Sequence, residues 1–145
     1  MILYHFTCLE HLDRIKADGF LKTVESNLSG RRAIAGPDVV WLTSDPAPTA
    51  KSHGLAGSKS DKTAVRFTID VPNDEVQEWI PWSRKRNITK VWAADLESGK
   101  RPDQWFVVER PITNDEWRAV EISAVHEATS GDQPGTKPWL STEQP

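Results

Sequence analysis

Ile2-Leu3-Tyr4-His5-Phe6-Thr7-Cys8-Leu9-Glu10-His11-Leu12-Asp13-Arg14-Ile15-Lys16-Ala17-Asp18-Gly19-Phe20-Leu21 is the stretch whose reading decides the fold. Residues 2–6 form an apolar run of the length of one strand. Thr7 precedes Glu10 by three residues, a capping-box spacing in which hydroxyl and carboxylate satisfy helix-start amides. Leu9, Leu12 and Ile15 follow at helical spacing. Gly19 is a natural stop, because glycine takes the left-handed conformation cheaply. Residues 2–20 therefore read as strand, helix and turn, with Phe20 and Leu21 returning to the core.

Outward from this segment, residues 22–37 are polar and carry Gly30, Arg31, Arg32, Gly36 and Pro37, which predicts a loop. Val39 to Thr43 reads as a second buried strand, stopped by Ser44-Asp45-Pro46. Residues 45–63 suit a long loop, and long loops in compact domains are often functional. Val65, Phe67, Ile69 and Val71 alternate strictly, which marks a half-buried strand ended by Pro72. Asn73 or Asp74 can cap a short helix through Trp79, broken by Pro81. Residues 82–103 read as irregular apart from one helix near residues 89–97. Trp105 to Val108, closed by Pro111, and Trp117 to Val125 complete the strands. From Glu127 onward the apolar pattern fails, which divides the chain into a domain at residues 1–126 and a disordered tail at residues 127–145. The order lacks the regular strand–helix–strand repeat of a doubly wound sheet, so the class is α+β. No glycine-rich dinucleotide fingerprint and no Walker loop is present, so a dinucleotide site here is not of the Rossmann type.

Composition narrows the function classes. A chain of 145 residues is long enough for one domain with a real core. The net charge of −3 gives no bulk attraction to nucleic acid or to an anionic membrane, although a local basic patch is compatible with it. The single cysteine, Cys8, excludes an internal disulfide and a multi-cysteine zinc cluster. A reducing compartment, the cytoplasm, is the simplest setting. No apolar run approaches the ~20 residues that span a bilayer, and the N-terminus lacks the basic start of a signal peptide. His5, His11, His53 and His126 show no metal-ligand spacing, so no metal is expected. Cys8, at a helix start, reads as a buried structural thiol or as an acidified one.

His5 sits in the middle of the first strand, where two readings stand. One is a buried histidine with a single satisfied hydrogen bond. The other is a polar group projecting into a cleft, where neutral imidazole offers one donor and one acceptor to a ribose hydroxyl.

At this point the chain resembles the ADP-ribosyltransferase superfamily. The matching pieces are Leu3-Tyr4-His5-Phe6-Thr7, Ile15 to Phe20, and Val39-Val40-Trp41-Leu42-Thr43-Ser44. The first segment is most similar to the DNA-targeting ADP-ribosyltransferase toxins, and the layout is similar to small actinobacterial and phage proteins. The resemblance covers roughly residues 2–53, and residues 103–122 more loosely. It implies a single domain of two packed, mostly antiparallel small sheets with a few short helices, and NAD as the bound nucleotide. By the resemblance, His5 binds the nicotinamide-side ribose, and Phe6 and Thr7 lie near the nicotinamide amide. Arg31 or Arg32 contacts the dinucleotide phosphates, a role that suits a guanidinium fork. Trp41, Thr43 and Ser44 lie on or beside the second strand of the pocket. Ser52 and His53 fall near the place where family members carry an aromatic residue that stacks on nicotinamide.

The family's late-strand glutamate stabilises the positive charge that builds as the nicotinamide bond breaks, a contribution of several kcal/mol for a preorganised charge, to order of magnitude. In Asp103-Gln104-Trp105-Phe106-Val107-Val108 the matching position is Gln104. Glutamine can hold a ribose by hydrogen bonds yet carries no charge. Asp103, Glu109 and Glu121 are the alternative carboxylates, with adjacent strand residues facing opposite sides. The resemblance thus implies either a transferase passing ADP-ribose from NAD+ to a DNA, RNA or other acceptor in a phage or bacterial conflict setting, or a catalytically inactive nucleotide-binding module of the same fold. A third reading rests on Trp79-Ile80-Pro81-Trp82-Ser83-Arg84-Lys85-Arg86. There Arg84, Lys85 and Arg86 would meet nucleic-acid phosphates and Trp82 would stack on bases, or the segment is a surface turn whose tryptophans plug the core edge.

Overall fold

The computed structural model describes residues 1–29, 31, 36–47, 62–123 and 139–141. The chain is mixed α+β, with nine strands in two antiparallel sheets and three α-helices among the described residues. In chain order these are β1 (Ile2–Thr7), α1 (Leu12–Asp18), β2 (Phe20–Leu21), β3 (Val40–Thr43), β4 (Val65–Asp70), β5 (Gln77–Glu78), α2 (Trp79–Lys85), α3 (Lys90–Glu97), β6 (Trp105–Val108), β7 (Ile112–Thr113), β8 (Trp117–Ser123) and β9 (Trp139–Ser141). The main sheet has seven strands in the order β5-β6-β3-β1-β4-β8-β9, and β2 pairs with β7 alone. Two antiparallel sheets form as expected, but they are unequal rather than both small: β1 lies at the centre of the larger one and is paired on both edges.

Register sorts the side chains. Leu3, His5 and Thr7 stand opposite Ile69, Phe67 and Val65 and share one face with them. That face buries Leu3, Phe67 and Ile69 against Leu12 and Ile15 of α1 and against Leu21 and Ile112 of the small sheet. Burying one such large apolar side chain stabilises the fold by about 1.5–3 kcal/mol. The opposite face carries a second core under α2 and α3, built from Leu28, Val39, Trp79, Trp82, Trp105 and Val107. The tryptophans of this core cross one another, with Trp41 and Trp79 centroids 4.7 Å apart and Trp41 edge-on to Trp105 at 6.1 Å.

Three local expectations are corrected. Thr7 closes β1, and its hydroxyl lies 3.4 Å from His11 Nδ1, so it does not cap the helix. The chain instead passes through a 3-10 turn at Leu9–His11 before α1, which Gly19 ends at φ 80° as read from the sequence. Pro81 does not break a helix. It sits in the first turn of α2, where its missing amide has no intrahelical acceptor to lose. Residues 82–103 are accordingly mostly ordered, with Thr89 capping α3 through the Trp92 amide. A full capping box does form at Thr113 and Glu116, where Arg110 also binds Glu116 and Glu75 at 2.8 and 2.5 Å. Within residues 127–145, residues 139–141 pair as β9 with β8, Ser141 opposite Glu121.

Gly36 has φ 91°, and a Cβ there would lie 2.8 Å from Ser26 Oγ and would overlap the Leu28 side chain. Gly36→Ala is expected to lower stability by about 1–3 kcal/mol through the strained backbone alone. Urea denaturation measures this, and an unchanged midpoint would remove Gly36 as a constraint on the Leu28 side of the second core.

Candidate functional site

The seven-stranded sheet is joined unevenly at β1. On one edge β1 pairs with β4 along its whole length, from Ile2 opposite Asp70 to Thr7 opposite Val65. On the other edge its pairing with β3 is limited to Tyr4 opposite Thr43. Beyond that bridge the ladder is interrupted, and His5 spans the interval. Its Nδ1 lies 2.8 Å from the Trp41 carbonyl oxygen. A carbonyl only accepts, so Nδ1 carries the proton and Nε2 of the neutral ring is an acceptor. No hydrogen bond to Nε2 exists among the described residues. The ring is half-buried and meets Phe67 edge-on, with centroids 6.2 Å apart. Burial lowers the His5 pKa below 6.5, against a smaller opposing effect of the Trp41 carbonyl. The ring is therefore neutral at neutral pH, and its bond to the Trp41 carbonyl matches the reading of His5 as a buried histidine with a single satisfied hydrogen bond.

Gln104 ends a 3-10 turn immediately before β6, and its carbonyl accepts the Ser44 amide at 3.0 Å. β6 and β1 are separated by β3, and His5 is level with Leu42 and Phe106, so His5 and Gln104 are separated by two strand spacings and by two residues along the strands. They can meet only through something placed between them. Ser44 is exposed at the end of β3. Thr7 is buried beside His11.

The remaining predicted pocket residues do not join this group. Phe6 alternates with His5 and so points to the other face of the sheet. Trp41 and Thr43 pair with Val107 and Trp105 on that same opposite face. Trp41 packs against Trp79, and its indole N–H donates to the Glu25 carbonyl at 3.1 Å. Thr43 Oγ1 accepts the Asp45 amide in the turn after β3. A strand motif quoted as one string thus splits between two faces. Arg31 is exposed, and its amide donates to Ser29 Oγ. Arg32, Ser52, His53 and His126 lie outside the described residues. The alternative carboxylates are engaged elsewhere: Asp103 with Arg101, Glu109 with Arg86, and Glu121 with Arg66 at 2.7 Å.

The basic segment is built into the second core. Trp82 is only 4 % exposed, so its assignment as a base-stacking ring is corrected to a core residue. Its indole N–H donates to Glu109 Oε2 at 3.0 Å, and Arg86 lies over its ring at 4.5 Å. Trp79 makes the parallel arrangement, donating to Glu97 Oε2 at 2.6 Å. Arg84 binds both oxygens of Glu97, at 2.6 and 2.9 Å. The Arg84 guanidinium holds the Glu97 carboxyl below the usual carboxylate range. Two buried indole N–H groups each need an acceptor, and each carboxylate that supplies one draws an arginine. Glu97 therefore engages Arg84 on both oxygens, Glu109 engages Arg86 through Nη2 alone, and Lys85 is exposed.

Sequence reasoning missed a cavity of about 430 Å³ beside this segment, bordered by Leu28, Arg86, Asn87, Thr89, Val91 and Trp92. Those residues come from two separated stretches of chain. The sequence signal was limited to the basic run. No helix among the described residues is long and apolar enough to cross a membrane, and no group of three or more metal-ligating side chains occurs among them.

His5 carries a pH signature with a definite sign. Its folded pKa lies below its unfolded value of 6.5, so the unfolded chain binds the extra proton first. The contribution is complete above 6.5 and is lost as pH falls toward the folded pKa. The melting temperature is expected to fall between about pH 6.5 and pH 5, above the carboxylate range. His5→Gln is expected to flatten that limb. A parallel pH profile in the variant would show that His5 is not the group responsible.

Comparison of the chain with family models, with curated proteins and with solved structures gave no match.

Proposed function

We propose that this chain is an ADP-ribosyltransferase-like protein that binds NAD+ or a related nucleotide in the opening between β1 and β3. The observation that carries the reading is the neutral His5 ring. It is fixed at Nδ1 by the Trp41 carbonyl and presents Nε2 as an acceptor where the β1–β3 ladder stops. That chemistry fits a ribose hydroxyl, which needs an acceptor whose orientation is already set. The resemblance of the Tyr4-His5-Phe6-Thr7 segment to the superfamily supports the same assignment.

NAD+ supplies an ADP-ribosyl group with nicotinamide as the leaving group. His5 would accept a hydrogen bond from the nicotinamide-side ribose, and Gln104 would hold that ribose from the far side of β3. An exposed Arg31 fits a phosphate contact from the solvent side. The acceptor of a transfer would be a DNA, an RNA or another nucleophile.

Gln104 favours a second reading, a binding module without chemistry. An amide donates and accepts hydrogen bonds but offers no negative charge to the cation that develops as the bond to nicotinamide breaks. Asp103, Glu109 and Glu121 do not replace it, since each is held by an arginine.

Titration calorimetry with NAD+ is expected to show saturable binding by the wild-type chain. His5→Ala is expected to weaken it at least about tenfold, the loss of roughly one hydrogen bond in a partly desolvated site. Circular dichroism of the variant checks that the fold is kept. Gln104→Glu is expected to raise the release of free nicotinamide above wild type, with or without added DNA or RNA. Absence of NAD+ binding by the wild type would sink the nucleotide reading. Binding with no nicotinamide release by either chain would leave the module.

A further inference from the structure

The cavity of about 430 Å³ lies on the side of the second core, on the opposite face of the main sheet from His5. Its volume falls in the range of small-molecule sites. Its wall is divided by chemistry. Leu28, Val91 and Trp92 form an apolar side, and Val91 is 75 % exposed. Arg86 and Asn87 form a polar side.

Arg86 is a preorganised cation. Its guanidinium lies over the Trp82 ring at 4.5 Å, and Nη2 binds Glu109 Oε2 at 3.0 Å. Nη1 and Nε have no partner among the described residues. Asn87 is also held rigidly. Its backbone takes φ 63°, and its amide donates to the Arg84 carbonyl at 3.1 Å. Its side-chain amide, with donors and an acceptor, has no partner among the described residues. Trp92 is pinned by its indole N–H, which donates to the Asn27 carbonyl at 2.7 Å. Asn27 has φ 60°, so both chain stretches that form the cavity wall pass through a left-handed asparagine. Such residues persist where surrounding contacts over-determine them.

We propose that this cavity binds the planar ring and the phosphate of one mononucleotide unit. Arg86 takes the phosphate, the Asn87 amide takes the polar edge of the base, and Leu28, Val91 and Trp92 cover the ring. A guanidinium matches phosphate oxygens in a fork, and a base edge presents the adjacent donor and acceptor that a carboxamide reads. An apolar anion without a polar ring edge would leave Asn87 unpaired. A sugar phosphate would leave Val91 and Trp92 uncovered. The basic run read from the sequence thus contributes Arg86, together with a partner one residue further on, while Trp82 serves only as the surface on which Arg86 is laid.

The test uses the full chain and two-dimensional NMR, with adenosine and cytidine 5′-monophosphates as probes. Both are expected to saturate and to shift the Trp92 indole N–H and the Asn87 side-chain amide, leaving the His5 ring signals in place. Adenosine alone and ribose 5-phosphate alone are each expected to bind at least about tenfold more weakly, each lacking one of the two recognised groups. Asn87→Gly is the decisive variant. Glycine relieves the positive φ, so the fold is kept or stabilised, and binding is expected to weaken about tenfold through loss of the amide alone. Arg86→Gln is expected to do the same for the phosphate. A 5′-phosphorylated oligonucleotide that outcompetes the free mononucleotides identifies a strand end as the source, and the reverse order identifies the free nucleotide. The proposal is overturned if no probe saturates at millimolar concentration, if Asn87→Gly binds as tightly as wild type, or if the shifts centre on His5. The last result would place the nucleotide in the β1–β3 opening instead.

Discussion

The hydrogen bond from the His5 imidazole to the Trp41 carbonyl holds together two parts of a sheet that backbone pairing joins at one place. On one side β1, β4, β8 and β9 form a continuous antiparallel set, and on the other β3, β6 and β5 do the same. Between the two sets, β1 and β3 share the bridge at Tyr4 and Thr43. An unpaired carbonyl in this interior position would cost about 1–3 kcal/mol, and a side chain supplies the donor that the neighbouring strand does not. The same substitution of side chain for backbone leaves an opening in the ladder and places a neutral nitrogen beside it.

The two faces of the sheet are finished by different means. The His5 face is covered by α1 and the β2–β7 pair, where Leu12, Ile15, Leu21 and Ile112 pack over Phe67, and Trp117 lies edge-on to Phe67 with its indole N–H buried and without a partner among the described residues. The opposite face relies on tryptophan, and each buried indole brings an N–H that must be satisfied. Glu97 and Glu109 answer Trp79 and Trp82, and Arg84 and Arg86 answer the carboxylates. Charge on this surface is thus a consequence of burying indoles beneath it. In the segment that looks basic in the sequence, Arg84 and Arg86 are ion-paired in the folded chain, and Arg86 also borders a cavity.

Much of the fold is legible along the chain. The alternation of Val65, Phe67, Ile69 and Val71 gives β4 and its buried face, and Gly19 ends α1 where a left-handed residue is required. Pro81 was misread because proline is compatible with a first helical turn and incompatible with a later one, and the sequence around it does not mark where α2 starts. Thr7 was misread because β1 extends through it, which leaves Cys8 at the position before the first helical turn. At the candidate site, grouping Phe6, Trp41 and Thr43 with His5 ignored the alternation that sends neighbours to opposite faces.

By itself the sequence determined the α+β class, the first strand and the presence of a histidine within it, because apolar period and turn residues act over a few neighbours. Tertiary structure decided which side chains share a face, which tryptophans are core, and which charges are already answered. Those outcomes depend on register between strands far apart in the chain and on partners such as Glu97 and Glu109, which lie 13 and 23 residues from the arginines they neutralise. The Tyr4-His5-Phe6-Thr7 segment shows the division plainly: its residues name the strand, and only the interrupted pairing between β1 and β3 gives the His5 Nδ1 its partner in the Trp41 carbonyl.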